Sequence, residues 1–221
     1  MIKPPSFVQV NVSYILEMLV KEKAVTNFLQ IGSNDGKKND PIRPLVEEFS
    51  IKGILVEPFG DNFNKLCENY AAWRHLLVFE QIGISDMKTD LDFYYVKDIQ
   101  ENEPDWYDQV GSFDKETFIK NIEVIPALLQ RIGVKKISCD TVDNILERNY
   151  FSKIDLIHID AEGYDFRILK SIDFNKWKPK AILFETDWMT QYELKEATRL
   201  FKNNGYNVYY EGIDCIALQN G

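Results

Sequence analysis

The sequence NFLQIGSNDG, residues 27–36, joins a short apolar segment to a turn that lies between two glycines. The apolar segment predicts a buried β-strand, and the turn follows its carboxyl end. The turn residues are Gly32, Ser33, Asn34, Asp35 and Gly36. Glycine tolerates positive φ and lets a ligand approach bare backbone, and ligands of open α/β sheets bind beyond the carboxyl ends of the strands. These five residues are therefore candidates for binding a nucleotide-like cofactor.

The glycine spacing distinguishes between two classes of cofactor. A dinucleotide-binding loop has the pattern G-x-G-x-x-G, whose middle glycine lets the backbone reach a pyrophosphate. Here the pattern is G-x-x-x-G, Asn34 occupies the place of the middle glycine, and the loop contains an acid, Asp35. An acid is a poor neighbour for a diphosphate and a better one for a cationic group, such as the ammonium of S-adenosylmethionine. A strand-to-helix turn without a ligand is the alternative that the loop alone leaves open.

Composition restricts the class of protein. A chain of 221 residues suits one α/β domain, and we expect residues 1–221 to form a single domain. Hydrophobic residues make up 45% and aromatic residues 13%, which argues against disorder. The formal charge of −9 argues against a nucleic-acid partner, for which a basic surface is expected.

Cysteines and hydropathy indicate the compartment. Cys67, Cys139 and Cys215 are far apart and odd in number, so they fit neither a disulfide framework nor a zinc site, and we expect reduced thiols. No apolar run approaches the roughly 18 residues of a membrane span, and the N-terminus lacks the apolar core of a signal peptide. We therefore expect a cytoplasmic protein without a membrane partner.

The second predicted strand, in KGILVEP, ends in an acid. Its apolar residues 54–56 are followed by Glu57, and Pro58 ends the strand. Glu57 lies 25 positions after Gly32, close to the spacing of about 20 residues at which an acid binds the ribose hydroxyls of a nucleotide cofactor. Strand, glycine turn, helix, strand and acid together predict a cofactor site. A solvated strand end is the alternative for Glu57.

A third predicted strand and a long middle section follow. We expect the third strand in LLVFEQIGISD, with Ser85 and Asp86 at its far end, beside the adenine of the cofactor. Residues 91–96 predict an additional strand, and residues 118–132 have helical character. The insertion at residues 88–140 lies between the third and fourth core strands, and we expect it to shape the substrate site.

The fourth strand, within KIDLIHIDAEGYD, places Asp160 and Glu162 at its carboxyl end. Because acids at this position meet the ligand cleft, Asp160 is a candidate to position the cofactor, activate a substrate hydroxyl or bind a cation. The alternative is that Glu162 and Asp165 only cap the next helix. His158 lies two residues before Asp160 and points to the same side. It is either a base that works near neutral pH or a buried structural histidine.

The remaining pattern predicts an α/β fold. Residues 7–23 show helical periodicity and form most of an N-terminal helical cap, residues 1–26. A fifth strand, in PKAILFETDW, ends at Glu185 and Asp187. The segments GYNVYY and DCIAL predict a closing hairpin. A dinucleotide domain ends in parallel βα units, whereas a terminal antiparallel hairpin looks like the methyltransferase variant of the fold.

The series IGSNDG, ILVEP, GISD, GSFD, DTVDNIL, IDLIHIDAEGYD and ILFE, closed by the hairpin, resembles the FkbM-type family of S-adenosylmethionine-dependent methyltransferases. The resemblance runs from about residue 27 to residue 218. It implies a Rossmann-like class I methyltransferase fold of three αβα layers, with a mostly parallel seven-stranded sheet and a C-terminal antiparallel hairpin. It also implies methyl transfer to a hydroxyl acceptor, often a sugar or related small metabolite. His158 stands where a lysine is common in this family.

The resemblance and the residue patterns together predict the site. The residues expected to bind the cofactor are Gly32, Ser33, Asn34, Asp35, Gly36, Glu57, Pro58, Ser85 and Asp160. The residues expected to act in catalysis are Asp160, His158 and Glu162. A further hypothesis is Mg²⁺ held by Asp160 with Glu185 or Asp187, because hard oxygen ligands suit this ion and it would acidify a sugar hydroxyl.

Two other classes of protein stay open at this stage. One is an NAD-dependent oxidoreductase, which shares the acid on the ribose, although the glycine spacing and the terminal hairpin count against it. The other is a non-catalytic small-molecule-binding module on the same fold. The glycine loop, Glu57 and the acids after the fourth strand count against that second class. Fold alone does not decide between these functions.

Overall fold

Parallel strands carry the glycine loop and the acid that follows the second predicted strand. The computed structural model describes residues 8–220, apart from the side chain of Asp105. Met1–Phe7, which include the first part of the predicted N-terminal cap, and Gly221 lie outside the described residues.

The strands in chain order are β1 Val8–Gln9, β2 Asn27–Ile31, β3 Lys52–Val56, β4 Leu77–Glu80, β5 Gly83–Ile84, β6 Thr89–Val96, β7 Ile132–Asp140, β8 Leu156–Ile159, β9 Ala181–Glu185, β10 Tyr206–Glu211 and β11 Asp214–Gln219. The α-helices are α1 Val12–Lys21, α2 Arg43–Phe49, α3 Gly60–Asn69, α4 Lys115–Ile122, α5 Val142–Arg148, α6 Asp165–Ser171 and α7 Gln191–Asn203.

The main sheet has eight strands among the described residues, in the order β1-β10-β11-β9-β8-β2-β3-β4. β11 lies between β9 and β10 and runs antiparallel to both, while all the other neighbours in this sheet are parallel. The seven strands from β10 to β4 are the mostly parallel sheet with a C-terminal antiparallel hairpin that the sequence predicts. The fold-class prediction is therefore confirmed.

The eighth strand, β1, adds to the prediction and shortens the first helix. Val8–Gln9 pairs in parallel with β10 at the edge of the sheet. α1 begins only after Asn11, whose side chain accepts a hydrogen bond from the backbone N–H of Tyr14. The helix prediction is therefore wrong for residues 8–11, because an N-cap and a strand pairing take the place of the first predicted turn.

A second sheet of three strands, in the order β5-β7-β6, lies apart from the main one. The sequence predicts one strand through LLVFEQIGISD, but this segment divides between the two sheets. β4 pairs with β3, whereas Gly83–Ile84 pairs with Cys139–Asp140 of β7. The single-strand prediction is wrong because the partner of β5 lies far along the chain, and a local hydrophobic pattern does not contain that pairing.

Side chains alternate across the main sheet and produce the three layers. Leu29 and Ile31 of β2 pack into a core with residues of α5, α6 and α7. Phe28, one position earlier, packs into a second core with residues of α1, α2 and α3. Because side chains in a strand alternate with a period of two, Gln30 shares the face of Phe28. It is a polar residue on a strand that is otherwise apolar and buried.

The helices follow the predicted order with local differences. The helical run predicted for residues 118–132 is divided into α4 and a 3₁₀ helix at Pro126–Arg131. Proline has no N–H to donate to the preceding turn, which accounts for the break. None of the helices described between residues 8 and 220 has the length and apolar character to span a bilayer.

Candidate active site

A cavity of about 1110 Å³ opens at the carboxyl ends of β2, β3, β8 and β9. Its wall includes residues at the end of β9 and in the loops after the other three strands: Gly32, Asn34, Glu57, Asp160 and Glu185. Small-molecule sites usually span about 300–1,000 Å³. The cavity therefore has room for a cofactor and a second molecule beside it.

Gly32 brings β2 into close contact with β8. Its φ is +78°, and a Cβ built on it would lie 1.7 Å from the backbone oxygen of Asp160. The N–H groups of Gly32 and Ser33 both donate to the carbonyl of Val56, each at 3.0 Å. The loop is therefore anchored to β3 and β8 at once, and a residue with a side chain does not fit at position 32.

Backbone groups hold the carboxylate of Glu57 at the cavity wall. Its Oε2 accepts from the N–H of Asn34 at 2.9 Å, and its Oε1 accepts from the N–H of Phe59 at 2.8 Å. The residue is 5% exposed. Burial raises the pKa of Glu57 to about 7, although both hydrogen bonds act in the opposite direction. Ser33 and Pro58 also line the cavity beside this carboxylate.

Three residues predicted to bind the cofactor do not line the cavity: Asp35, Gly36 and Ser85. The carboxylate of Asp35 accepts from the backbone N–H groups of Lys37 and Lys38, so it stabilises its own turn. Ser85 is buried, and its hydroxyl donates to the carboxylate of Asp86. In this structure, the side chains of Asp35 and Ser85 form hydrogen bonds with neighbouring residues of the loops that contain them.

Aromatic rings form an apolar part of the wall next to Glu57. The ring of Phe59 lies 4.7 Å from that of Tyr95 and 5.9 Å from that of Phe93, and Phe93 lies 5.0 Å from Phe113. All four residues line the cavity. Sequence reasoning did not identify this wall, although Phe93 and Tyr95 alternate within LDFYYV and so point to one side of β6.

A polar pair completes the wall at this end. The Nδ2 of Asn62 donates to the backbone carbonyl of Asp108 at 2.8 Å. The Oδ1 atoms of both residues are buried and have no hydrogen-bond partner. Lys65 forms an ion pair with the other carboxylate oxygen of Asp108 at 2.6 Å. Sequence reasoning missed Asn62 and Asp108, because the segments that carry them show no motif.

Three carboxylates stand in a row across β8, β9 and β11. Asp214 pairs with Glu185 in the sheet register, and Asp160, directly after β8, follows the pairing of β8 with β9. Burial, and next the charge of Glu185, raise the pKa of Asp160 well above its ordinary value. Burial and nearby acids likewise raise the pKa of Glu185 to about 8. Within residues 8–220, no hydrogen-bond donor reaches the carboxylates of Asp160 and Glu185, so their proximity favours protonated forms.

Glu162 accepts a hydrogen bond at its side chain and another at its backbone from residues between β6 and β7. Its Oε2 accepts from the Nδ2 of Asn121 at 2.9 Å, and its backbone carbonyl accepts from the hydroxyl of Ser112 at 2.7 Å. Burial raises the pKa of Glu162 to about 7. The carboxylate of Asp165 accepts from the backbone N–H groups of Ala161 and Gly163, so it stabilises the loop that contains Glu162.

A comparison of the sequence with known protein families identifies the family of this chain. The sequence matches the Methyltransferase FkbM domain over residues 30–208, which is most of the chain. The protein belongs to the FkbM methyltransferase family. It matches no curated protein.

Solved methyltransferase structures share the fold of this FkbM-family chain. The methyltransferase FkbM from Methylobacillus flagellatus KT superposes with a TM-score of 0.54 at 10% sequence identity, over 88% of this chain and 44% of that one. The METTL16 MTase domain superposes with a TM-score of 0.50 at 9% identity, over 93% of this chain and 65% of that one. The chain thus spans less than half of the Methylobacillus protein and less than two thirds of the METTL16 chain. At these identities the similarity shows the fold alone.

His158 lies on the cavity wall of this FkbM-family protein, two residues before Asp160. It is 6% exposed, and its Nδ1 has no hydrogen-bond partner. Burial lowers the pKa of His158 to about 4. The ring is therefore neutral near pH 7, and its Nδ1 has an unused hydrogen-bonding capacity.

The structure does not support the Mg²⁺ hypothesis. In the part of this FkbM-family chain that the structure describes, no three His, Cys, Asp or Glu side chains are placed to hold a metal ion. Asp187 is exposed and does not line the cavity. No observation therefore supports Mg²⁺ at the predicted set, and only Asp160 and Glu185 of it line the cavity.

Proposed function

We propose that the protein is an S-adenosylmethionine-dependent methyltransferase that methylates a hydroxyl of a sugar or related small metabolite. One observation carries this proposal: the loop of Gly32, the carboxylate of Glu57 and the carboxylate of Asp160 line a single cavity. A cofactor bound to Glu57 at one end reaches toward Asp160 at the other. Membership of the FkbM family supports methyl transfer as the reaction.

The residues around Glu57 fit the nucleoside part of this cofactor. Each carboxylate oxygen accepts one backbone hydrogen bond and keeps a lone pair for a ribose hydroxyl. The rings of Phe59 and Phe93 suit the flat face of adenine. The Oδ1 of Asn34 is buried without a partner and is an acceptor for the cofactor's ammonium. When bound, the cofactor supplies a methyl group that its sulfonium already makes electrophilic.

Asp160 is our candidate for the base that takes the proton of the acceptor hydroxyl. Its carboxylate faces the cavity and receives no hydrogen bond within residues 8–220. A carboxyl group with a raised pKa is a stronger base once ionised, and a cation nearby favours the ionised form. His158 is the second candidate. Its lowered pKa makes it a weaker base, so we assign proton removal to Asp160.

Glu162 is our candidate for orienting the acceptor. Asn121 and Ser112, which hold it, both belong to residues 88–140, the segment predicted to shape the substrate site. A change in that segment therefore moves a carboxylate at the reaction centre. We infer that the segment sets which acceptor is used by positioning Glu162 as well as by lining the cavity.

A calorimetric titration with S-adenosylmethionine, S-adenosylhomocysteine and NAD tests the cofactor class. We expect the first two to bind and NAD not to bind. A transfer assay with methyl-labelled cofactor and a panel of sugars then tests hydroxyl methylation. Preference for NAD would replace the proposal by an oxidoreductase, and binding of none of the three would favour a non-catalytic binding module.

A further inference from the structure

Gln30 is a buried amide whose orientation is fixed by a carboxylate. It is 2% exposed, and its Nε2 donates to the Oδ1 of Asp40 at 3.0 Å. Asp40 also accepts from the backbone N–H groups of Ile42 and Arg43 and from the hydroxyl of Tyr70. Because a carboxylate that receives these bonds acts only as an acceptor, the amide must direct its NH₂ group to Asp40.

The carbonyl oxygen of Gln30 is therefore left as an acceptor on the cavity wall. Its Oε1 is buried and has no hydrogen-bond partner. His158 pairs with Gln30 in the register of β2 and β8, and neighbouring strands lie about 4.8 Å apart. The Nδ1 of His158 is buried and without a partner as well. The residues that carry these two unsatisfied atoms are thus neighbours across β2 and β8, and a buried unsatisfied group requires an explanation, of which a ligand is one.

The carboxylate row lies directly beyond these two atoms. Asp160 follows His158 by two positions, so the side chains of both point to the same face. Glu185 and Asp214 continue the row on the next strands. We call these five residues the amine recess: Gln30, His158, Asp160, Glu185 and Asp214. All five line the cavity.

The far side of the amine recess carries further negative charge. Glu211 is opposite Asp214 in the register of β10 and β11, and its carboxylate accepts from the backbone N–H of Val12 at 2.7 Å. Lys38 also lines the cavity, from the glycine loop. The acidic residues that line the cavity outnumber its lysines, Lys38, Lys65 and Lys97, so the cavity favours a cation over an anion.

We propose that the amine recess binds a protonated amine on the methyl acceptor, so that the substrate is an amino sugar or amino alcohol. This inference rests on the proposed methyltransferase function. An ammonium offers three donors and no acceptor, which matches the Oε1 of Gln30, the Nδ1 of His158 and the carboxylates. A bound ammonium favours the ionised acids of the row, whereas a neutral hydroxyl would satisfy Gln30 and leave these acids protonated. A carboxylate or phosphate on the acceptor would be repelled.

The test compares acceptors that differ only at the nitrogen. The protein, saturated with S-adenosylhomocysteine, is titrated by calorimetry with glucosamine, N-acetylglucosamine and glucose, and with the corresponding galactose series. A third pair, 2-aminoethanol and its N-acetyl derivative, covers the amino alcohols. We expect at least one amine to bind about tenfold or more tightly than its N-acetyl and hydroxyl counterparts, the factor that 1.4 kcal/mol supplies.

Two variants locate the binding in the recess. Gln30→Met keeps the side-chain volume and removes the carbonyl acceptor, while Asp40 retains its other three donors. Asp214→Asn removes one charge of the row. We expect each to weaken amine binding roughly tenfold and to leave affinity for S-adenosylhomocysteine unchanged. Glu48→Gln removes a charge from an exposed position on α2 and should bind the amines as the unmodified protein does.

Several results would overturn the proposal. Equal or tighter binding of the neutral members, or binding of no amine in the panel, excludes an ammonium-selective recess. Loss of S-adenosylhomocysteine affinity in Gln30→Met shows that the recess holds the cofactor's own ammonium instead. If the unmodified protein binds no S-adenosylhomocysteine, the proposed function fails separately. The amine titration is then run without it, and the same preference is still required.

Discussion

The two ends of the cavity satisfy their polar groups in opposite ways. Around Glu57, backbone N–H groups hold both carboxylate oxygens at 2.8 and 2.9 Å, and the turn acid Asp35 is likewise held by backbone. In the amine recess, Asp160 and Glu185 face each other without a donor within residues 8–220, beside the unpartnered atoms of Gln30 and His158.

This difference separates a preformed site from a charged one. The Glu57 end has its geometry before any ligand arrives, so binding there costs little reorganisation. The recess instead holds acids whose pKa values burial and mutual repulsion raise. A cation removes that repulsion, so the recess should select its ligand by charge, whereas the Glu57 end should select by shape and hydrogen bonding.

The largest effect is expected for Asp160→Asn, which tests the charged end alone. The amide keeps the shape of the side chain but cannot take a proton, so kcat should fall about 10²–10⁴-fold. Affinity for S-adenosylhomocysteine should change little, because the Glu57 end is intact. Steady-state kinetics and calorimetry give the two quantities, with exposed Asp187→Asn as the matched control. Full turnover in Asp160→Asn would contradict the assignment of Asp160 as the base.

Gly32→Ala should disrupt the close backbone contact between Gly32 and Asp160, which joins the two ends of the cavity. The new Cβ would overlap the backbone oxygen of Asp160 in addition to the strain of a positive φ. Gly205→Ala is a matched control, since Gly205 also has a positive φ of +80° but nothing within 4 Å of a Cβ.

We expect Gly205→Ala to lower the free energy of unfolding by about 1–2 kcal/mol. Gly32→Ala should lower it by a further ~2 kcal/mol through overpacking, and should also weaken cofactor binding. Urea denaturation measures both variants. Equal losses in the two would mean that β2 and β8 are not in the close contact described here.

Glu57→Gln tests the preformed end. An amide cannot accept from both backbone N–H groups, so either Asn34 or Phe59 loses its acceptor and the charge disappears. A hydrogen bond to a charged group contributes about 1.5–3 kcal/mol. We therefore expect affinity for S-adenosylhomocysteine to fall roughly 10–100-fold. Glu68→Gln, at an exposed position on α3, serves as the control, and unchanged affinity in Glu57→Gln would contradict the assignment.

The smallest effect is a pH dependence of stability without ligand. The raised pKa values of Glu57 and Glu162, about 7, and of Glu185, about 8, mean that the folded state holds protons that the unfolded state has lost. Stability should therefore fall as pH rises through these values. His158, whose pKa is lowered to about 4, acts in the opposite direction only below about pH 6.5.

Thermal melts between pH 6.5 and 8.5 measure this directly. The melting temperature should fall, by roughly 2–4 °C for each kcal/mol lost in a chain of this size. Saturating S-adenosylmethionine, which carries a net positive charge, should reduce the fall. A melting temperature that stays constant or rises over this range would show that the acids are not held protonated in the free protein.

The sequence predicted seven of the eight strands of the main sheet because most of them are apolar runs followed by glycine or an acid. It also placed Glu57 and Asp160 at strand ends, and the structure brings these residues to one cavity. Their roles remain predictions. Both results depend on local patterns, which a single sequence contains.

Features that depend on distant pairing were not predictable. Gln30 reads as one polar residue in a strand, and only its neighbours Asp40 and His158 reveal an oriented amide with a free acceptor. The aromatic wall needs the pairing of β6 with β7. For Asp35 and Ser85, the residue types suggested contact with a ligand. In the structure, the side chains of both form hydrogen bonds within their own loops.

The close packing of Gly163 against α4 has a consequence for how the sequence of this protein can change in evolution. Gly163 has a φ of +93°, and a Cβ there would lie 2.7 Å from the side chain of Thr117 on α4. The loop that contains Asp160 and Glu162 is therefore packed closely against α4, which lies between β6 and β7. If that segment were replaced by the segment of a relative, a poor fit at Gly163 would displace the loop that contains Asp160 and Glu162. A change in the range of methyl acceptors should thus require that residues 88–140 and the loop that contains Gly163 change together.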